Sequence, residues 1–165
     1  GNQSAYNSKQ WKLIVRERTD MNKNIPEIYY LVQELSWRFG NHGFNGECCG
    51  DLSLIEFMAL KKINECKEIT IQEVGNAINF TKSGASKIID RLESKGYAIR
   101  ANSPVDGRIC CVLTTEKGRE TLSGIVKQYT LNLNNILRGI EPQKVDQIRE
   151  SLTILVDALQ SYKEG

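Results

Sequence analysis

Three helix starts and one helix stop fall within residues 53–96, and they constrain this chain more than anything else in it. Ser53-x-x-Glu56 and Thr70-x-x-Glu73 are capping boxes, in which the hydroxyl and the carboxylate satisfy two of the amides a helix leaves open at its start. The first opens an apolar stripe and predicts a helix from Ser53 to about Cys66. The second, after a very short strand over Ile69, Thr70 and Ile71, opens a short helix through Val74 and Ala77. Thr81 is the N-cap of the next helix and Gly96 its end. A short helix, a tight link and a longer helix in this space have the dimensions of a helix-turn-helix. Tyr97–Arg100 and Ile109–Leu113 are β-prone, and the turn-rich Asn102–Gly107 between them predicts a hairpin, or wing, with Arg100 and Arg108 on its strands.

The flanks read as helices. Ile28, Leu31, Val32, Leu35 and Phe39 recur at three and four residues, with Pro26 in the first turn, until Gly40, Gly43 and Gly46 break the period. Leu122, Ile125, Val126, Tyr129, Leu133, Ile136 and Leu137 repeat the pattern. Pro142 opens a last helix with Val145, Ile148, Leu152, Leu155, Val156 and Leu159 on one face. The expected fold is mainly α with a small β-wing: a winged helix-turn-helix domain over 47–118, a lead-in over 1–22, an N-terminal dimerisation helix and loop over 23–46, and C-terminal dimerisation helices over 119–165. The apolar terminal helices call for a cover, and a second copy supplies one. No apolar run is long enough to span a membrane, and the N-terminus shows no apolar segment of the secretory kind. Five cysteines without such a segment speak against a disulfide scaffold. These features point to a cytoplasmic protein with no membrane partner.

Net charge is only +2 over 165 residues, so its placement matters more than its size. Between Thr81 and Arg108, six bases (Lys82, Lys87, Arg91, Lys95, Arg100, Arg108) face three acids (Asp90, Glu93, Asp106), a local net of +3. Ala85, Ile88, Ile89 and Leu92 form the buried stripe of the Thr81–Lys95 helix. The opposite face carries Ser83, Lys87, Asp90 and Ser94, flanked by Ser86 and Arg91. Small hydroxyls and a lysine near a helix start suit entry into a major groove. An ordinary solvated face is the competing reading of this helix alone, and the basic wing beside it favours the nucleic-acid reading.

Asp90-Arg91-Leu92, Lys95-Gly96, Asp106-Gly107-Arg108 and Leu113-Thr114-Thr115-Glu116-Lys117-Gly118 occur in register, and in this pattern the chain resembles the MarR family of winged-helix regulators across residues 53–118. The resemblance implies a homodimer that binds a pseudo-palindromic operator in double-stranded DNA. The function expected from these features together is transcriptional regulation, as a repressor rather than an activator, with release by a small-molecule, redox or soft-metal or metalloid effector. The resemblance places Arg108 in a minor groove with Asp106 bracing it. Thr81, Lys82, Ser83, Ser86, Lys87, Arg91 and Arg100 are the remaining candidate DNA contacts. Trp37, Phe39, Phe44 and Phe57 are expected in the core, with lining an effector pocket as the other possibility.

Two vicinal cysteine pairs, Cys48-Cys49 and Cys110-Cys111, lie outside the family pattern. A disulfide between neighbours closes a strained ring, whereas pairing between the two sites, or thiolate capture of a soft metal or metalloid with His42 and Glu47 as further ligands, is chemically easier. Against this, Cys110 and Cys111 on a strand face opposite sides, Cys66 is spaced as a core residue, and the repeated C-x-x-C zinc spacing is absent. No cofactor is required by any motif. A single histidine in a glycine-rich loop, without a P-loop, nucleophile elbow or dinucleotide fingerprint, gives an enzyme nothing to work with. A constitutive DNA-binding or protein-interaction winged helix with structural cysteines is the alternative.

Overall fold

The computed structural model describes residues 22–40 and 50–162. It comprises two compact units, divided between Cys48 and Cys49. In the first, α1 (Ile25–Gly40) is amphipathic, but Ile28, Leu31 and Leu35 are all exposed. Trp37 and Phe39, expected in the core, are also exposed, Trp37 at 62%. Phe44 lies outside the described residues.

The second unit runs α2 (Leu54–Glu65), β1 (Ile69–Thr70), α3 (Ile71–Ala77), α4 (Lys82–Ser94), β2 (Ala98–Asn102), β3 (Cys110–Thr114), α5 (Glu116–Leu137) and α6 (Pro142–Ser161). Both capping boxes form. Glu56 N donates to Ser53 Oγ at 3.2 Å and Ser53 N to Glu56 Oε2 at 3.3 Å; the Thr70–Glu73 pair repeats this at 3.2 and 2.7 Å. Thr81 Oγ1 accepts from Gly84 N at 3.1 Å and starts α4. The link between α3 and α4 turns through Asn79 at φ 57°, a left-handed conformation that asparagine tolerates better than most residues. Gly96, at φ +79°, ends α4 where a side chain would be strained.

The core joins Ala59, Leu60 and Ile63 of α2, Val74 of α3, the Ala85, Ile88, Ile89 and Leu92 stripe of α4, and Ala98, Cys111 and Val112 of the sheet. That sheet is antiparallel in the order β1-β3-β2, with Ile69 opposite Val112 and Arg100 opposite Val112 from the other side. β2 and β3 each start one residue later than the β-prone runs suggest, and β1 stops at Thr70, one residue short of its expected end. Cys66 is half-buried at the C-cap of α2 rather than in the core, because the helix ends there and its backbone turns extended. Phe57 is half-buried too. The α5 helix passes through residue 118 without a break, burying Gly118, Leu122 and Ile125 in its first half.

Candidate nucleic-acid interface

The α4 helix buries its apolar stripe and leaves Lys82, Ser83, Lys87, Asp90, Arg91 and Ser94 exposed. The opposite-face reading therefore matches the geometry of the helix. Thr81 spends its hydroxyl oxygen as the helix cap, which fixes the first turn and leaves its O–H able to donate.

Two of the six bases in this region are tied down. Arg100 Nη2 lies 2.8 Å from Asp90 Oδ1 and 3.1 Å from Ser86 Oγ, and Nη1 pairs with Glu93 Oε2. The Glu93 carboxylate also takes the Arg100 amide at 2.8 Å. Burial alone would lower the guanidinium pKa, but the bond to Asp90 and the charge of Glu93 outweigh it and hold the group above its ordinary value. Arg100 thus clasps β2 to α4, with Ser86 half-buried beneath it. Lys95 Nζ is 2.7 Å from Oε2 of Glu56, whose side chain is only 6% exposed, and it also donates to the Asp51 carbonyl. Tyr97 Oη donates to Asp51 Oδ1 at 2.8 Å, and this bond, then burial, raises the phenol pKa. These clasps fix α4, from Ser86 to its C-terminal end, against α2 and the sheet.

Lys82, Lys87, Arg91 and Arg108 enter no ion pair among the described residues. Their charges remain available to a partner, and they sit on α4 and at the wing.

Asp106 and Arg108 lie in the turn between β2 and β3, not on a strand face as the sequence suggested, because the hairpin opens after Asn102 and closes only at Cys110. The bracing is correspondingly different. Asp106 Oδ1 accepts from the Arg108 backbone amide at 3.0 Å, and the Asp106 carbonyl accepts from Ile109 N at 2.9 Å, so the carboxylate shapes the backbone that carries Arg108. Ser103, at 7% exposure, is buried at the base of the turn. Neither Ser103 nor the Lys95–Glu56 pair was singled out from the sequence: both depend on partners 35 to 39 residues away, and no local pattern marks them.

Cys110, the first residue of β3, is exposed and Cys111 is buried; Val112, on the Cys110 side of the strand, is buried as well, so both faces of β3 are covered beyond its first residue. Burial, then the charges of Glu68, Cys110 and Glu73, raises the Cys111 thiol pKa and disfavours the thiolate. Among the described residues no three His, Cys, Asp or Glu side chains are grouped as a metal site would need. Cys110 and Cys111 are therefore not brought together with further ligands there. His42, Glu47, Cys48 and Cys49 lie outside the described residues. No described helix is long and apolar enough to cross a membrane.

A short helix, a tight left-handed turn, an outward-facing second helix and a three-stranded sheet with a hairpin define a winged helix-turn-helix protein. Residues 51–109 match the family model described as the MarR family. The chain is 25% identical to the HTH-type transcriptional regulator YfiV of Bacillus subtilis (strain 168) over 155 residues, covering 91% of this chain and 97% of that one. The same fold occurs in a MarR-like transcriptional regulator from Thermotoga maritima, at 25% identity, TM-score 0.62, and 86% and 99% coverage of this chain and that chain. FabT of Streptococcus pneumoniae, solved in complex with DNA, shares the fold at 22% identity and TM-score 0.61, with coverage of 93% and 99%. Over residues 51–109 this chain is therefore similar to the MarR family in sequence, and its fold is that of a winged helix-turn-helix.

Proposed function

We propose that this chain binds double-stranded DNA as a homodimer and regulates transcription, reading a major groove with α4 and a minor groove with the wing. The observation that carries the reading is the division of the bases. Lys95 and Arg100 are consumed by internal carboxylates, while Lys82, Lys87, Arg91 and Arg108 project unpaired from the two elements that a winged helix offers to DNA. An arginine on a turn shaped by Asp106 suits a narrow, electronegative minor groove.

The dimer is supported by what one copy leaves uncovered. No residue of α6 is buried, and Ile148, Leu152, Val156 and Leu159 are all exposed along it, as are Leu133 and Ile136 of α5. Apolar helical faces of this extent are seldom left to water. Two copies would present two α4 helices to half-sites about one DNA turn apart, so an effector that altered their spacing would release the DNA.

Salt dependence tests the reading. Four free bases in each of two subunits give roughly eight phosphate contacts, and so a slope of log affinity against log salt of about −7. A duplex selected by the protein from a random-sequence pool is titrated by fluorescence anisotropy at several salt concentrations. Lys87→Ala, which removes one contact per subunit, should weaken binding and bring the slope to about −5. Binding that ignores salt, or a Lys87→Ala protein indistinguishable from the parent, refutes the assignment of this face.

A further inference from the structure

The turn that carries Arg108 is held from outside the wing. Ser103 N donates to the Ile109 carbonyl at 2.8 Å and closes the base of the loop. The Ser103 hydroxyl oxygen accepts from Val105 N at 3.2 Å and from Asp106 N at 3.4 Å, and its O–H donates to Glu68 Oε2 at 3.1 Å. Asp106 in turn takes the Arg108 and Ile109 amides. A chain of hydrogen bonds thus runs from Glu68, one residue ahead of β1, through a buried serine to the backbone of Arg108. A hydroxyl has one proton to give, so committing it to Glu68 leaves the oxygen's lone pairs facing the two turn amides. Glu68 itself is exposed, and its negative charge sits on a domain whose proposed partner is a polyanion.

We infer that Glu68 and Ser103 are positioning residues for DNA binding: their hydrogen bond fixes the wing turn in the shape that delivers Arg108 to the minor groove. This rests on the DNA-binding reading above and adds to it a requirement outside the basic surface. Preorganising the turn matters because a loop ordered only on binding spends part of the contact energy on its own ordering.

The inference and simple electrostatics predict opposite signs. If Glu68 acts only as a charge, Glu68→Gln and Glu68→Ala both remove repulsion and strengthen binding equally. If it acts as the acceptor for Ser103, Glu68→Gln keeps an acceptor oxygen and loses the charge, so it binds at least as tightly as the parent. Glu68→Ala loses the acceptor and binds more weakly than Glu68→Gln, by about three- to tenfold for each subunit's wing, the size of one net hydrogen bond. Ser103→Ala should fall with Glu68→Ala. The probe is the duplex selected by the parent protein, in full-length proteins of matched thermal stability. The second readout is the salt slope, which a merely structural role would not move: Glu68→Ala loses part of the Arg108 contribution and shallows the slope, whereas Glu68→Gln does not.

Equal affinities for Glu68→Ala and Glu68→Gln overturn the inference while leaving the DNA-binding reading intact. Failure of the parent protein to select any duplex overturns both. If Glu68→Ala unfolds, the Glu68→Gln and Ser103→Ala pair carries the test: Ser103→Ala binding as tightly as Glu68→Gln refutes the positioning role.

Discussion

Gly118 is the position where a single methyl group should do the most damage. It lies in the first turn of α5, where Thr115 Oγ1 caps the helix by accepting from Gly118 N at 3.0 Å and donates to the Gly96 carbonyl at 2.6 Å. A Cβ at residue 118 would fall on the Tyr97 carbonyl oxygen, far inside contact distance, and would stand 2.8 Å from Thr114 Cγ2 and 3.1 Å from the Tyr97 carbonyl carbon. Backbone cannot swing aside as a side chain does, so α5 and the start of β2 must separate. The Tyr97 carbonyl also accepts from Thr115 N at 3.0 Å, and that bond is strained by the same movement. Overpacking of this kind costs about 1–3 kcal/mol, and a weakened hydrogen bond adds about 0.5–1.5 kcal/mol. Against these stands the roughly 1 kcal/mol by which alanine is the better helix former. The balance is a loss of about 2 kcal/mol, or some 4–8 °C in Tm for a chain of this size. Gly124→Ala supplies the control: it lies in the same helix with nothing within 4 Å of its Cβ, so the propensity gain stands unopposed and stability should rise. Thermal and urea unfolding followed by far-ultraviolet circular dichroism measure both. If Gly118→Ala is as stable as the parent, or shifts in the same direction as Gly124→Ala, the close-approach argument is wrong.

Two further expectations concern the clasp and the thiols. Lys95→Met leaves the Glu56 carboxylate buried without its cation and should cost about 1–3 kcal/mol, less than a wholly buried pair because Lys95 is part-exposed. Adding Glu56→Gln should recover much of that loss in urea unfolding, and additive losses would show that the two side chains are not coupled. Peptide mapping after brief treatment with a thiol-alkylating reagent should find Cys110 modified well before Cys111, whose thiol is buried and whose thiolate is disfavoured. Equal labelling of the two would contradict the burial of Cys111 in the core.

What could be read from the sequence was what local chemistry decides. The capping boxes at Ser53 and Thr70 and the Thr81 cap need only residues three apart, and all three formed where their spacing put them. The α4 stripe follows from the period of the helix, whereas the exposure of Cys110 beside buried Cys111 and Val112 reflects its place at the start of β3. Trp37 and Phe39 went astray because hydrophobicity says that a residue wants cover, not that its own chain provides it. Cys66 failed for a different reason: the spacing that placed it on the apolar face was right, but the helix ended one residue before it.

The charge count shows most plainly where the sequence runs out. Six bases against three acids gave a net of +3, and the sum survives in the structure, but the charges that compose it are not equivalent. Arg100 is held against Asp90 and Glu93, so those three together offer DNA little attraction, and Lys95 is matched by Glu56 from outside the counted stretch. Sequence cannot assign these pairs: Arg100 and Glu93 are seven residues apart across a helix end, and Lys95 and Glu56 are 39 apart. What remains is Lys82, Lys87, Arg91 and Arg108, with Asp106 turned to its own backbone. A domain could carry the same +3 with its free cations elsewhere and have no use for DNA. The placement of the unpaired cations on α4 and the wing, rather than their sum, is what supports a nucleic-acid partner, and substitutions at these four positions should lower affinity far more than any at Lys61 or Lys62, whose charges lie on α2 beside Glu65.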